Sequence, residues 1–100
     1  MPDLITSRKF LQDLDRLKSR KQIVKNVAKT LARLEADPSH PGLHIERIRN
    51  DPTAWSVRVD RRYRLSFEPD VLLASGVPDW SGKLLLLRVL PHDDLYKYPR

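Results

Sequence analysis

Between Ser7 and Ala36 the apolar positions recur every three to four residues, the spacing that lines one face of a helix. Phe10, Leu14 and Leu17 form one stripe, and Ile23, Val24, Val27, Leu31 and Leu34 form a second. The phase breaks near Ser19, and Ser19 followed three residues later by Gln22 has the form of a capping box. The pattern predicts two helices, over about 7–18 and 20–36, folded as a hairpin. Asp37-Pro38-Ser39-His40-Pro41-Gly42 ends the second helix, and Leu4-Ile5-Thr6 ahead of the first is a candidate edge strand.

After Gly42 the period changes to two. His44–Arg49, Ala54–Asp60, Arg62–Glu68 and Lys83–Leu90 read as strands, the second and third joined by a tight turn at Asp60-Arg61. The connection Pro69–Gly82 is long for a hairpin loop, and Val71-Leu72-Leu73 is a candidate strand extension within it. Helices followed by an antiparallel sheet of about four strands predict a single α+β domain over 1–100, with the hairpin packed on one sheet face.

Strand alternation sorts the side chains. Trp55, Val57 and Val59 oppose Ser56, Arg58 and Asp60; Tyr63, Leu65 and Phe67 oppose Arg62, Arg64, Ser66 and Glu68. In the last strand Leu85, Leu87 and Val89 oppose Leu86, Arg88 and Leu90, with His92 continuing the second set. The apolar sets should face the helices, leaving Arg58, Arg62, Arg64, Arg88 and His92, with His44 and Glu46, on an open face. Trp55 and Tyr63 read as core; Trp80, in the long loop, is either a base-stacking platform or tucked onto the core.

Composition narrows the options. One hundred residues make one small core, and 40% hydrophobic with 32% charged residues excludes a wholly disordered basic tail. No apolar run is long enough for a membrane span and the N-terminus has no signal-peptide form, so the expected location is cytoplasmic. Cysteine is absent, which removes disulfides, thiolate zinc sites and cysteine nucleophiles. The net charge is +6, and residues 16–33 carry seven cations (Arg16, Lys18, Arg20, Lys21, Lys25, Lys29 and Arg33) with no acid. That run fits either a solvated helix face or contact with nucleic-acid phosphates.

The open face holds the parts for phosphodiester chemistry. Arginines fork onto phosphate oxygens and stabilise the charge of a phosphorane, while a His or Glu can take a proton from a 2′-hydroxyl. No metal or other cofactor is then required. His44, Glu46 and His92 can be drawn as zinc ligands, but four neighbouring arginines oppose a dication. Gly42, Gly76 and Gly82 are isolated turn residues, so no phosphate-binding glycine loop exists.

The order of these features resembles the RelE/ParE superfamily of toxins from bacterial type II toxin–antitoxin modules. The resemblance spans essentially the whole chain. A basic helical hairpin closes on Ala36-Asp37-Pro38 and Pro41-Gly42-Leu43-His44-Ile45-Glu46. Then come Trp55-Ser56-Val57-Arg58-Val59-Asp60, Tyr63-Arg64-Leu65-Ser66-Phe67 and a closing His92-Asp93-Asp94-Leu95-Tyr96. The resemblance implies a microbial-ribonuclease-like fold and a cognate antitoxin protein as partner. RelE-type members cleave messenger RNA on the ribosome without metal; ParE-type members poison DNA gyrase. Trp-Ser-Val-Arg-Val and His-Asp-Asp also resemble toxin-like domains ahead of some helicases, which implies a catalytically silent interaction module as a further alternative.

Carried over by position, Arg64 is similar to the arginine on the scissile phosphate and Arg58 to a second cationic site group. His92 is similar to the C-terminal general acid or base, Tyr96 to the aromatic hydroxyl, and Glu46 to a base carboxylate. Lys18, Arg20, Lys21, Lys25, Arg62 and Arg88 are the expected RNA contacts, to messenger RNA or ribosomal RNA. The open face is all arginine where some ribosome-dependent members carry lysine, and arginine is a poor proton donor at neutral pH.

Overall fold

The computed structural model describes residues 1–100. Its elements are β1 (Asp3–Thr6), α1 (Arg8–Leu17), α2 (Lys21–Ala36), a 3-10 turn (Pro41–Leu43), β2 (Glu46–Arg47), β3 (Trp55–Arg58), β4 (Tyr63–Pro69), β5 (Lys83–Pro91) and α3 (His92–Lys97). The α+β architecture is the expected one, with two refinements. The N-terminal candidate strand does pair, giving five strands in the order β1-β5-β4-β3-β2. It runs parallel to β5, while every other pair is antiparallel.

Local chemistry sets the helix ends. Ser7 caps α1, its hydroxyl accepting from the Phe10 N–H at 3.1 Å and donating to the Leu87 carbonyl of β5. The capping box expected at Ser19 is not used: Arg20 is the N-cap of α2 and makes no side-chain cap. Of the predicted His44–Arg49 strand only Glu46–Arg47 pairs, because His44 lies in the left-handed region (φ 44°) at the end of the 3-10 turn. In the β4–β5 connection the candidate extension is one bridge, Leu72 to Pro78, turned at Gly76 with φ 88°. Trp80 tucks back onto Phe67, ring centroids 6.0 Å apart.

The hairpin of α1 and α2 covers one sheet face, where Phe10, Leu17, Val27 and Leu34 meet Val57, Leu65, Phe67, Leu84, Leu86 and Val89. The expected side assignment in β5 is wrong for half the strand. Ser66 pairs with Arg88 but Phe67 pairs with Leu86, so Leu87 is an extra residue opposite the β4 step. This bulge reverses the alternation. Leu84 and Leu86 join Val89 under the helices, and Leu87 turns to the other face, into a second cluster with Ile48, Ala54 and Leu95. Leu95 belongs to α3, an element the strand pattern does not announce, and α3 covers part of the face expected to be open.

Past Thr6, β5 loses its strand neighbour, and α1 supplies a substitute. Asp13, 3% exposed, accepts from the Val89 N–H at 3.0 Å and from Nε and Nη2 of Arg88 at 2.8 and 3.1 Å. The carboxylate thus satisfies an edge amide that would otherwise be buried unpaired. Asp13→Ala strands both groups and is expected to cost about 3 kcal/mol in urea unfolding; a loss under ~0.5 kcal/mol would show that this contact does not hold the edge.

Candidate active site

The register gathers the sequence candidates on the α3 side of the sheet. Paired residues point to the same face, so the strands present successive rows. Glu46, Ser56, Ser66 and Arg88 form one row; Arg58, Arg64 and Leu90 form the next. Beyond the end of β5 the His92 N–H donates to the Arg62 carbonyl at 2.6 Å, continuing the ladder and setting His92 beside Arg62.

Arg58 and Arg64 lie directly opposite each other across β3 and β4. Like charges in that position repel, and neither belongs to any of the five ion pairs of the chain. Arg64 Nη1 is buried with no hydrogen-bond partner. A guanidinium nitrogen in that state is costly unless an anion completes it.

On the same sheet face, α3 presents two aromatic rings. The turn-to-turn spacing of a helix brings His92 and Tyr96 together, with centroids 4.7 Å apart at 68°. His92 Nδ1 lies 3.2 Å from Asp93 Oδ1. Nδ1–H donated to that carboxylate leaves Nε2 as the accepting nitrogen. The Tyr96 hydroxyl lies 3.2 Å from Oγ of buried Ser56, and its carbonyl accepts from Asn50 Nδ2 at 2.7 Å. Ser56 and Asn50 are positioning groups that residue type alone does not reveal; the alternation puts Ser56 only on the face expected to be open, two residues before Arg58.

Other candidates fall differently. Arg88 was expected as an RNA contact, but its guanidinium is held by Asp13 and its side chain is 15% exposed, so it is not free for phosphate. Lys18 pairs with Asp15, and Arg20 reaches the Tyr63 hydroxyl at 3.4 Å. Lys21, Lys25 and Arg62 are exposed. Asn26 donates to Asp60 at 3.3 Å, which ties this part of α2 to the turn carrying Arg62. Burial pushes the Asp60 carboxyl up. The N–H groups of Tyr63 and Arg62, the Asn26 amide and the Arg58 charge outweigh that effect, and its pKa lies below the usual value.

A clamp fixes the segment after α3. Arg100 donates to Asp51 at 2.7 and 2.9 Å and to Glu68 at 2.7 Å, and Ser66 donates to the Pro99 carbonyl at 2.6 Å. The Arg100 hydrogen bonds, helped by the Thr53 and Ala54 N–H groups, hold Asp51 down to about 2 against the opposing effect of burial. The clamp is therefore charged at neutral pH and fastens the chain after α3 to the sheet.

A model of the ParE toxin family of type II toxin–antitoxin systems (parDE) matches residues 4–96. The chain belongs to this family. As a toxin of such a module, it has a cognate antitoxin protein as its partner. Solved structures share the fold. The chain is similar to the YoeB/ParE toxin from Agrobacterium tumefaciens, with TM-score 0.66, 13% identity, and 90% of this chain and 98% of that chain covered. It is similar to YafQ in the E. coli DinJ–YafQ complex, with TM-score 0.66, 14% identity, and 95% and 98% covered. It is also similar to a metal-bound toxin from Helicobacter pylori, with TM-score 0.69, 20% identity, and 95% and 99% covered. A comparison with curated proteins finds no match. In the present toxin no group of three or more His, Asp or Glu side chains is arranged to hold a metal ion, and no helix is long and apolar enough to cross a membrane.

The unpaired arginine row is expected to bind an oxyanion. Inorganic phosphate at ~50 mM should raise the Tm of the toxin by a few degrees over chloride at equal ionic strength. Arg64→Ala should remove most of that rise, and an undiminished rise in the variant would place the bound anion elsewhere.

Proposed function

We propose that this toxin is a metal-independent endoribonuclease acting on messenger RNA, on the ribosome in the cytoplasm, and that residues 1–100 form one toxin domain. The observation that carries the reading is the cross-strand Arg58–Arg64 pair with the buried, unpartnered Arg64 Nη1, on the sheet face where Ser56 meets Tyr96 and Tyr96 meets His92. Such a pair suits a phosphate whose charge grows along the reaction.

The chemistry follows from these groups. Arg58 and Arg64 hold the scissile phosphate. His92 Nε2 takes the proton of the adjacent 2′-hydroxyl, O2′ attacks phosphorus, and the P–O5′ bond breaks. The products are a 2′,3′-cyclic phosphate and a 5′-hydroxyl end, and the leaving O5′ takes a proton from Tyr96 or from water. Ser56 fixes the Tyr96 hydroxyl for that task. Exposed Lys21, Lys25 and Arg62 supply salt-sensitive contacts to RNA phosphates.

Gyrase poisoning is the second reading, favoured by the ParE description of the matching family. It gives no work to the His92–Tyr96 pair. A silent interaction module leaves both that pair and the arginine row unused. Induced expression in a bacterium, with growth followed and messenger 5′ ends mapped, separates the three. Growth arrest with new cuts in translated messages is expected. Arg64→Ala and His92→Ala, checked for folding, should each lower cutting by ~100-fold or more and relieve arrest. Arrest with intact messages and broken DNA would move the reading to gyrase, and full toxicity of both variants would refute the site.

A further inference from the structure

Residues of α3 line two clefts. One, of about 360 Å³, lies on the His92 and Arg62 side. The other, of about 340 Å³, is lined by Glu46, Arg47, Arg49, Asn50 and Tyr96, a volume at the lower end of the range for small-ligand sites, about 300–1,000 Å³. Of the residues lining this second cleft only Tyr96 enters the chemistry above, which leaves Glu46, Arg47, Arg49 and Asn50 without a part in it.

Its side chains are unequally occupied. Arg47 is committed: Nη2 donates to the Pro52 carbonyl at 2.7 Å, and the guanidinium lies 5.6 Å from the centre of the Trp55 ring. Asn50 is committed to the Tyr96 carbonyl and holds α3 against the cleft. Glu46 and Arg49 are exposed and belong to no ion pair, although they line the same small space. Glu46 is in register with Ser56, two residues along β3 from Arg58. That step is about 7 Å, comparable to the reach from a backbone phosphate to the base beside it.

We propose that this cleft reads the nucleobase next to the phosphate held by Arg58 and Arg64. This rests on the endoribonuclease reading above. The base stacks on Tyr96, an aromatic platform of the kind that holds unpaired bases. The Glu46 carboxylate accepts from two adjacent N–H donors, and Arg49 donates to a carbonyl oxygen. Among the four RNA bases only guanine offers two adjacent N–H donors, N1–H and N2–H, beside a carbonyl on its Watson–Crick edge. Guanine is therefore the base selected, and Glu46 is a specificity residue rather than the proton acceptor.

The test is the base composition at mapped cut sites after expression of the full chain. Wild-type cuts should lie beside guanine. Glu46→Gln exchanges one acceptor for a donor and should reduce that preference about 10-fold or more while cutting continues. Arg49→Ala, on the exposed loop after β2, should shift the same preference and serves if Glu46→Gln fails to fold by its thermal melt. Wild-type cutting without guanine bias, or variants that keep the bias, would overturn the proposal and leave the nuclease reading standing. A uniform fall in cutting with the bias intact in Glu46→Gln would overturn it by assigning Glu46 to proton transfer. Arrest with no cutting at all would remove the nuclease reading and this subsite together.

Discussion

One extra residue in β5 decides what each face of the sheet carries. Without the bulge at Leu87, strict alternation would keep Leu85, Leu87 and Val89 on one face. With it, Leu84, Leu86 and Val89 all serve the large core, and Leu87 is released to the opposite side. There it joins Ile48, Ala54 and Leu95, and this small cluster gives α3 an apolar seat. His92 and Tyr96 ride on α3. The bulge therefore connects backbone irregularity to the position of the site, and Asp13 secures the neighbouring stretch of β5 from the other side by taking the Val89 N–H.

Electrostatics divides the molecule between cations that are used internally and cations that are not. Arg88 is neutralised by a buried aspartate, and Arg100 by Asp51 and Glu68; both are structural. Arg58 and Arg64 face each other with no carboxylate between them. A fold tolerates such a pair at a cost, and a bound oxyanion reverses the sign of that cost. The arginine row thus suits a phosphate, and the groups proposed to handle protons sit on a helix that is itself held by Asn50, Ser56 and the clamp around Arg100.

Much of this arrangement was legible in the chain. The helical stripes, the alternating strands and the arginine row follow from apolar periodicity, because a regular strand assigns Arg58 and Arg64 to one face. The failures are equally physical. Leu84-Leu85-Leu86-Leu87 is apolar at every position, so nothing in it marks where a bulge falls. The same run hides which leucine supports α3, and six residues starting with His92 are too short for a helical period to stand out. Arg88 looked like its neighbours by residue type; only its proximity to Asp13, 75 positions away, removes it from the site. The roles of Ser56 and Asn50 likewise depend on contacts across the fold.

The central claim is that this sheet face cuts RNA through attack by the 2′-hydroxyl on a phosphate held by Arg58 and Arg64. The most direct test is a message carrying a single 2′-deoxynucleotide at a mapped cut site, presented to the toxin in a translating system. Cutting should vanish at that position and persist at unmodified sites. Undiminished cutting at the deoxy position would contradict the claim, because the nucleophile would then be something other than the 2′-hydroxyl.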